Sequence, residues 1–587
     1  MNKTLILAEK PSQAMDLARG LGHFERRDGY LENSKYIITW AYGHLLEVDT
    51  EKIAGGFRNY PVFPEKFRYR MIKGGSKQFR IIKDLLKKVD TVVEAGDPGR
   101  EGELISRLIL EHANFRGKIL RFWVSEALTP EVVKKGFSTL RDGAEFDSLY
   151  QSALARQHAD WLVGINLSRA FTLTVNNREV WSIGRVQTPV LSMLVKREKE
   201  IREFRPEEYY IVEAYFNRGY RGKLITAREK GNEVNKEDDR AFRLKKEEAE
   251  KIAKEVSGQK GIITEVKRKR VREKPPLLHS LTSLQREANE IYGFKAQETL
   301  NIAQSLYEKK LITYPRTESQ YLGETEDTKR LASRVLESLG KDSLIPRVWK
   351  VGKRVFDSSK LTDHHAIIPM PTTPDKLREK EDKVYRLIRR RFIGAFMDDY
   401  LYESITVITK VKNHFFFTRG KSNLFLGWRE LYPGAKEDNL PFLREGARVV
   451  VENARAIQKF TQPPPRYTES SILKAMEKAH TFVNDENLKK VLRENSGIGT
   501  PATRAGIIET LIRRGYVARK RKKLIPTKKG FYLAGKVQEK EIASPEMTAF
   551  WEQKLEDIRE RKNTYFSFIA EIKEFTEKAI RELKRER

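Results

Sequence analysis

The sequence AGDPGREGE at residues 95–103 joins a predicted strand to a predicted helix. The apolar run from Asp90 to Ala95 predicts a buried strand, and the apolar spacing from Glu101 to His112 predicts a helix. The same order occurs earlier, where a predicted strand at Thr4–Ala8 precedes a predicted helix at Ser12–Leu21. This alternation predicts a parallel sheet covered by helices in the N-terminal part of the chain.

Carboxylates follow both predicted strands. Glu9 directly follows the first strand, and Asp97 lies two residues beyond the second. Because functional loops gather at the carboxyl ends of parallel strands, we expect the two side chains to converge. Mg²⁺ prefers oxygen ligands and often binds through one or two carboxylates together with phosphate. The sequence therefore predicts a Mg²⁺ site here, with Lys10 and Arg100 as candidates to hold a phosphate.

Two further acids, Glu101 and Glu103, open the predicted helix. Acidic residues are favoured in the first turn of any helix, where the helix dipole is positive. Glu103 is two residues from Glu101 and so lies off its face of the helix. For Glu103 a metal-binding role and a purely helix-stabilising role both stay open.

A second candidate for chemistry is LITYPRTES at residues 311–319, which places the phenol of Tyr314 two residues before the guanidinium of Arg316. A free tyrosine titrates near ~10 and is a poor nucleophile at neutral pH. A fixed cation nearby would favour the phenolate and could also hold a phosphate. The alternative is an amphipathic surface tyrosine in a turn.

Composition indicates a polyanionic partner. The 587-residue chain has a net charge of +31, which favours nucleic acid over an anionic membrane surface. No apolar run approaches the ~18 residues that span a bilayer, and the N-terminal apolar segment is too short for a secretory signal. We therefore expect a cytoplasmic protein without a membrane partner. The absence of cysteine excludes disulfides, thiolate zinc sites and a cysteine nucleophile.

Two strand-rich stretches, 208–270 and 400–460, flank a helical block. This order is compatible with one β-rich domain built from two separated segments of the chain. Residues 150–205 are predicted to be helical, with Pro189 opening one helix. Helices also dominate after the prolines at 463–465.

Two motifs are candidates for DNA contact. In SIGRVQTP, residues 182–189, the free backbone N–H groups of a helix start can bind phosphate. An ordinary capped helix explains Thr188 but not Arg185. The second motif is GIGTPATR, residues 497–504. A predicted helix begins within it at Pro501 and is followed by a strand and a basic run, an order typical of a winged-helix-like DNA-binding module. Thr500 and Arg504 would face phosphate there.

These motifs, with LAEKPS at residues 7–12 and TDHHAIIP at residues 362–369, occur in an order that resembles type IA DNA topoisomerases, most closely the topoisomerase III branch. The resemblance implies a multidomain protein in which an α/β Toprim domain, helical domains and a β-rich domain form a toroid around a central hole. The implied domains are 1–145 (Toprim), 146–207 with 462–587 (helical, winged-helix-like), 208–274 with 400–461 (β-rich hinge) and 275–399 (helical, carrying the tyrosine).

The resemblance also implies the chemistry. Tyr314 would cut one strand and form a 5′-phosphotyrosine link, with Arg316 stabilising the scissile phosphate and Glu9 donating a proton to the leaving 3′ oxygen. His364 is preferred over His365 as a phosphate contact. The implied acidic cluster is Glu9, Asp97 and Glu101 with Lys10 beside it, and the implied DNA contacts are Arg100, Arg185, Gln187, Thr188, Thr500 and Arg504.

One position departs from the family pattern. The family usually carries Asp-x-Asp-x-Glu in the acidic loop, and Gly99 stands in place of the middle acid. Glu103 is a possible substitute. We expect Mg²⁺ dependence to be altered or weaker than in relatives that carry all three acids.

The predicted function is ATP-independent cutting and resealing of single strands, which relaxes negative supercoils or unlinks DNA. A nucleotide-binding loop is missing, because Phe415 stands where the first glycine before Gly420-Lys421-Ser422 would be needed. The alternatives are a Toprim nuclease or primase and a non-catalytic DNA-binding scaffold. The expected partner is DNA, single-stranded at the cleavage site and duplex in the hole. We expect a monomer, and leave RNA as a substrate and a helicase as a partner open.

Overall fold

The computed structural model describes residues 3–126, 128–175, 179–225, 242–361, 364–434, 440–494, 497–537 and 540–585. Thr362 and Asp363 of the predicted histidine motif lie outside these residues. The chain forms two compact units. One contains Met1–Glu198, Leu277–Arg389 and Arg466–Arg587, and the other contains Lys199–Pro276 and Arg390–Pro465.

The strands are β1 Thr4–Ala8, β2 Glu25–Arg27, β3 Tyr30–Glu32, β4 Tyr36–Trp40, β5 Leu46–Val48, β6 Tyr69–Met71, β7 Thr91–Ala95, β8 Lys118–Arg121, β9 Arg141–Asp142, β10 Glu208–Phe216, β11 Tyr220–Leu224, β12 Lys260–Glu273, β13 Tyr400–Val411, β14 His414–Phe425, β15 Arg448–Phe460, β16 Val517–Lys520 and β17 Lys523–Pro526. The helices are α1 Pro11–Leu21, α2 Thr50–Ala54, α3 Ser76–Leu86, α4 Arg100–His112, α5 Pro130–Ser138, α6 Asp147–Val175, α7 Gln187–Glu203, α8 Lys246–Val256, α9 Leu281–Tyr292, α10 Ala296–Glu308, α11 Glu326–Ser338, α12 Ile345–Val348, α13 Glu379–Ala395, α14 Glu469–Glu477, α15 Glu486–Glu494, α16 Pro501–Arg513, α17 Lys528–Val537, α18 Pro545–Arg559 and α19 Tyr565–Arg585.

The N-terminal sheet has the strand order β2-β3-β4-β1-β7-β8-β9. Its central strands β4, β1, β7 and β8 run parallel, and antiparallel strands flank them on both sides. Apolar residues cover both faces, with Leu5 in one core and Ile6 in the other. The predicted parallel α/β arrangement is confirmed, because strands buried on both faces read as continuous apolar runs.

The register of the sheet brings the two acidic loops together. β1 and β7 are neighbours, and Ala8 pairs with Ala95. The chain therefore leaves both strands at the same edge, and the segments that carry Glu9 and Asp97 emerge side by side.

The second unit is built on a closed barrel with the strand order β10-β11-β14-β13-β12-β15. β10 pairs with β15 and β12 pairs with β13, so strands from 208–273 and 400–460 alternate within one sheet. Its core includes Val212, Ile263 and Phe416. The two strand-rich stretches of the sequence therefore contribute strands to one closed sheet.

The helices α6, α7 and α14 to α19 share one apolar core within the first unit. Leu162, Leu191, Leu473, Ile508 and Leu555 are buried there. A smaller core joins α9, α10 and α13 around the segment that precedes the candidate tyrosine. The finer division into four domains stays a prediction. Among the residues described above, no helix combines the length and apolar character needed to cross a bilayer.

Candidate active site

Glu9 and Asp97 are joined directly at the edge of the sheet. The backbone N–H of Asp97 donates to Glu9 Oε2 at 3.1 Å. The Asp97 carboxylate accepts from Lys10 Nζ at 3.0 Å and from Gln13 Nε2 at 3.1 Å. His364 Nε2 lies 3.3 Å from the same carboxylate. The convergence that the strand-end positions predict is therefore present.

Tyr314 approaches this cluster from the segment after α10. Lys10 Nζ lies 3.5 Å from the centroid of the Tyr314 ring. The rings of Tyr314 and His364 meet edge to face with centroids 4.5 Å apart, and Tyr307 contacts Tyr314 from another side at 5.3 Å. Four of the predicted catalytic side chains, namely Glu9, Lys10, Tyr314 and His364, thus belong to one cluster with Asp97.

Two threonines hold the Tyr314 segment in place. Thr313 Oγ1 donates to Ala366 C=O at 3.0 Å, and Thr317 Oγ1 donates to His364 C=O at 2.8 Å. Both threonines are buried. Tyr314 and His364 are therefore anchored to each other's segments on both sides of the tyrosine, a role that the sequence analysis did not assign to either threonine.

An ion pair also joins the Tyr314 segment to the N-terminal sheet domain, at a point farther from the phenol. Lys310 Nζ lies 2.7 Å from Asp16 Oδ2, so the end of α10 is tied to α1. Lys310 has a left-handed backbone with φ of 60°, a conformation that few non-glycine residues adopt. Asp16, Lys310 and Tyr314 line a cavity of about 470 Å³ that lies between the N-terminal sheet domain and the segments at residues 307–314 and 364–372.

Burial and charge set the protonation states of this cluster. Burial, followed by repulsion from Asp97, raises the pKa of Glu9. Burial alone would raise the pKa of Asp97, but the Lys10 ammonium and the adjacent His364 side chain hold this pKa well below its usual range. Burial alone would lower the pKa of Lys10, but Asp97 and Tyr314 raise it. The site therefore holds a Lys10–Asp97 ion pair beside a carboxyl that retains its proton to a higher pH.

The cations near Tyr314 favour its phenolate, as the sequence suggests, but they do not outweigh burial in the DNA-free site. Burial raises the pKa of Tyr314 to about 12, and the opposing effects of Lys10 and Arg316 are smaller than that of burial. Desolvation disfavours a charged oxygen more strongly than the nearby ammonium favours it. Arg316 itself is exposed, so its guanidinium is accessible to a ligand.

The other two predicted acids lie elsewhere. Glu101 points outward, with 72% of its side chain exposed, and Glu101 Oε1 lies 2.5 Å from His44 Nε2. Glu103 is fully buried, with Oε2 2.9 Å from Arg121 Nε and Oε1 3.1 Å from Arg107 Nε. The structure does not bring Glu103 to Glu9 and Asp97, because the buried Arg121 and the half-buried Arg107 take up its carboxylate.

The two remaining acids, Glu9 and Asp97, are compatible with only one mode of Mg²⁺ binding. Among the described stretches of the chain, no three acidic or histidine side chains are close enough to hold a metal together. Glu9 and Asp97 nevertheless place hard oxygen donors side by side. This pair suits Mg²⁺ bound through two carboxylates, water and a substrate phosphate, and does not form a cage made wholly of protein ligands.

The histidine motif separates into two roles. His364 lies beside Tyr314 and Asp97. His365 is buried and bonds through Nδ1 to the carbonyl of Ala366, and burial lowers the pKa of its imidazole to about 4. The preference for His364 as the residue at the site is consistent with this placement.

Several predicted DNA contacts are engaged with protein groups. Arg185 is buried, with Nε 2.8 Å from Asp160 and Nη1 3.0 Å from Glu552. Arg100 pairs with the same Glu552 at 2.9 Å and with Glu556 at 3.1 Å. The structure therefore places Arg185 and Arg100 in one ion-pair cluster that joins α4 to α18, and does not present them as open phosphate contacts.

The helix-start residues also serve local structure. α7 begins at Gln187, two residues before the predicted start at Pro189, because the Thr188 N–H already bonds to Gly184 C=O. Thr188 is buried and its Oγ1 accepts from the Gly184 N–H, while Gln187 is half-buried.

The second predicted contact segment is similar. Thr500 caps α16 in a reciprocal arrangement with Thr503, and it remains half-buried. Arg504 is almost fully buried, and its Nη1 donates to Thr282 Oγ1 at 2.9 Å. Arg504 thus links α16 to α9, and the predicted contact between Arg504 and a DNA phosphate does not match this buried position. Within this module the predicted helix is present and is followed by the hairpin β16–β17.

Comparison with known proteins places this geometry in a family. The family described as DNA topoisomerase matches residues 144–570, and the Toprim domain matches residues 4–127. DNA topoisomerase 3 of Bacillus subtilis (strain 168) is 38% identical across 100% of this chain and 82% of its own length. The enzyme of the same name from Bacillus licheniformis has the same identity and coverage. Full-length topoisomerase I from Thermotoga maritima superposes with a TM-score of 0.72 at 25% identity, over 98% of this chain and 90% of that one. The chain with the Lys10–Asp97–Tyr314 cluster therefore belongs to the type IA DNA topoisomerase family.

Proposed function

We propose that Tyr314 is the nucleophile of an ATP-independent DNA topoisomerase that cuts one strand, passes a strand and reseals. The observation that carries this assignment is the placement of Tyr314 against Lys10 and His364, beside the Glu9–Asp97 pair. The Tyr314 phenol releases its proton to solvent and its oxygen bonds to the phosphorus of the scissile phosphate, while the bond from phosphorus to the 3′ oxygen breaks and that oxygen takes a proton from Glu9. One phosphodiester replaces another, so resealing needs no external energy source.

Proton movement is assigned to Glu9 and electrostatic support to Lys10. Glu9 has a raised pKa, so it can carry the proton that the leaving 3′ oxygen needs. Asp97 is a weak base because its pKa is held low. As charge develops on Tyr314, the ammonium at 3.5 Å from its ring stabilises it at no cost of reorganisation.

Phosphate binding is assigned to Arg316, which is exposed, and to His364. Asp97, together with Glu9 once Glu9 has given up its proton, would hold Mg²⁺, whose charge would neutralise phosphate oxygens at the site. Glu101 would join them only if it left His44. Arg100, Arg185 and Arg504 would reach DNA only after exchanging their protein partners, so their proposed part in the DNA-free protein is structural.

DNA is the partner, and we propose single-stranded DNA at the cleavage site. The four-domain division, a monomeric state and a cytoplasmic location stay predictions of the sequence. RNA as a second substrate and a helicase as a partner stay open. The net charge of +31 supports a polyanionic partner without choosing among nucleic acids.

The test is relaxation of negatively supercoiled plasmid without ATP, with and without Mg²⁺, beside Tyr314→Phe. Stepwise relaxation by the wild type, none by the variant, and a covalent adduct with DNA only in the wild type are expected. Tyr307→Phe is the matched control, since that neighbouring phenol lies in the same cluster and is not the proposed nucleophile. Nicking without an adduct would favour a Toprim nuclease, and DNA binding without cleavage would favour a scaffold.

A further inference from the structure

Arg121, at the end of β8, donates hydrogen bonds to backbone carbonyls in and around the acidic loop. Its Nη1 donates to the carbonyls of Gly96 at 2.9 Å, Glu94 at 3.2 Å and Phe122 at 2.7 Å, and its Nη2 donates to Asp97 C=O at 2.9 Å. The side chain is 1% exposed. A guanidinium presents its donors in one rigid plane, so one side chain fixes several carbonyls at once.

The peptide groups on both sides of Asp97 Cα are consequently held. Its N–H is bonded to Glu9 Oε2 at 3.1 Å, and its C=O is bonded to Arg121. The first turn of α4 closes on the same carbonyl, because a Cβ at Gly102 would lie 2.2 Å from Asp97 O. Little freedom is left for the backbone that aims the Asp97 carboxylate.

Glu103 supplies the charge that this arginine needs. A buried cation without a partner is strongly destabilising. Glu103 Oε2 lies 2.9 Å from Arg121 Nε, and its other oxygen pairs with Arg107. Glu103, which the sequence suggests as a replacement metal ligand, is therefore a counter-ion within the sheet domain.

We infer that Arg121, with Glu103 as its counter-ion, is a positioning residue for strand cleavage. Through the Asp97 peptide it sets the direction of the carboxylate that binds Lys10. Lys10 in turn lies over the Tyr314 ring. This inference rests on the proposed function, because it assigns Arg121 to the Tyr314 reaction.

The test compares Arg121→Lys with Arg107→Lys. Arg121→Lys keeps the buried charge and loses the planar set of donors. Arg107 belongs to the same ion-pair cluster and contacts Gly143 C=O and Asp147, but none of the loop carbonyls. It is therefore the matched control for general weakening of this cluster.

Three quantities are measured for each variant. They are the single-turnover rate of adduct formation on a single-stranded oligonucleotide at saturating DNA, the Kd for that oligonucleotide, and the melting temperature. For Arg121→Lys we expect the rate to fall by at least ~10-fold, as is typical for outer groups that orient catalytic ones. The Kd should stay within about twofold, since no DNA-facing group is removed. Arg107→Lys should keep the rate of adduct formation within roughly threefold of wild type, even if its melting temperature falls by as much as that of Arg121→Lys.

Glu103→Gln is the second variant, and it stays informative if Arg121→Lys does not fold. The amide keeps an acceptor for Arg121 Nε but loses the charge. A lower maximal cleavage rate at saturating Mg²⁺ supports the inference. A Mg²⁺ requirement that rises with an unchanged maximal rate restores Glu103 as a metal ligand and overturns it. Equal rate losses in Arg121→Lys and Arg107→Lys, or wild-type cleavage by Arg121→Lys, also overturn it. A wild-type protein that binds the oligonucleotide and forms no adduct would instead overturn the proposed function, and the inference with it.

Discussion

The ammonium of Lys10 lies 3.5 Å from the centre of the Tyr314 ring and 3.0 Å from the carboxylate of Asp97. One cation is thereby shared between the proposed nucleophile and the anion beside it. Because Lys10 follows β1 and Tyr314 follows α10, the contact joins parts of the chain that lie far apart in sequence. Lys10 can stabilise charge on Tyr314 only when these parts are packed together.

Lys10→Met should slow strand cleavage by roughly 100-fold at neutral pH, the usual effect of removing one group that stabilises developing charge. Without the ammonium, the burial that already raises the pKa of Tyr314 would be opposed by less positive charge. Single-turnover adduct formation measures the effect. Lys3→Met is the control, since Lys3 pairs with Glu32 away from the site. A rate within twofold of wild type would remove Lys10 from the chemistry.

Cleavage should slow as the pH rises through the raised pKa of Glu9. Burial and repulsion from Asp97 keep its proton above the ordinary value of 4.5, and the acid form is the one that can donate to the 3′ oxygen. Glu9→Gln should lower the rate by about 10²–10⁴-fold and abolish this limb of the pH profile. Rates from pH 5 to 9 on both proteins test it. An unchanged limb in Glu9→Gln would assign the titration to another group.

Gly99→Asp should lower the Mg²⁺ concentration for half-maximal relaxation. Gly99 has an extended backbone with φ of 173°, which any residue adopts, so an aspartate fits without strain. A third carboxylate near Asp97 adds a hard oxygen ligand. Gly99→Ala fills the same position without the charge and should leave the Mg²⁺ dependence as it is. Identical titrations of wild type and Gly99→Asp would show that the family's middle acid is dispensable here.

Glu94→Gln should stabilise the protein at alkaline pH. Burial, followed by repulsion from Glu103, raises the pKa of Glu94 from 4.5 to about 8. The folded state therefore binds this proton more tightly, and the contribution to stability is full below pH 4.5 and is lost as the pH rises through about 8. At pH 9 the variant should melt on the order of 2–4 °C higher than the wild type, and at pH 5 the difference should vanish.

The control for this comparison is Glu25→Gln, an exposed residue paired with Arg27. It should show the same pH dependence of melting as the wild type. A melting difference between Glu94→Gln and wild type that is constant from pH 5 to 9 would show that Glu94 does not titrate in this range.

The positions of Glu9 and Asp97 follow from local sequence. Each lies just beyond a short apolar run that could only be a buried strand, and neighbouring parallel strands end at one edge. The strands of the second unit were likewise visible as two strand-rich stretches. Their closure into a barrel and their order depend on long-range pairings, such as Glu208 with Phe460, that no local pattern reveals.

The roles of the buried charges could not be inferred in the same way. Glu103, Arg185 and Arg504 read from the sequence as available charges, because a sequence shows a charged residue without its partner. Arg185 meets Glu552, which is 367 residues away, and Arg504 meets Thr282, which is 222 residues away. Long-range packing, not local propensity, separates a phosphate contact from a structural ion pair.

The Asp16–Lys310 ion pair and the Lys10–Tyr314 contact cross the same seam between the sheet domain and the tyrosine segment. If the seam opens after cleavage, the 5′ end of the cut strand leaves with Tyr314, while Glu9 and Lys10 stay behind at the end of β1. The bond that tethers the broken DNA is then out of reach of the groups that would undo it. It follows that the open enzyme is chemically silent, and that closure itself restores the capacity to rejoin the strand. In that open form, the covalently held 5′ end would be protected from premature resealing by its distance from Glu9 and Lys10.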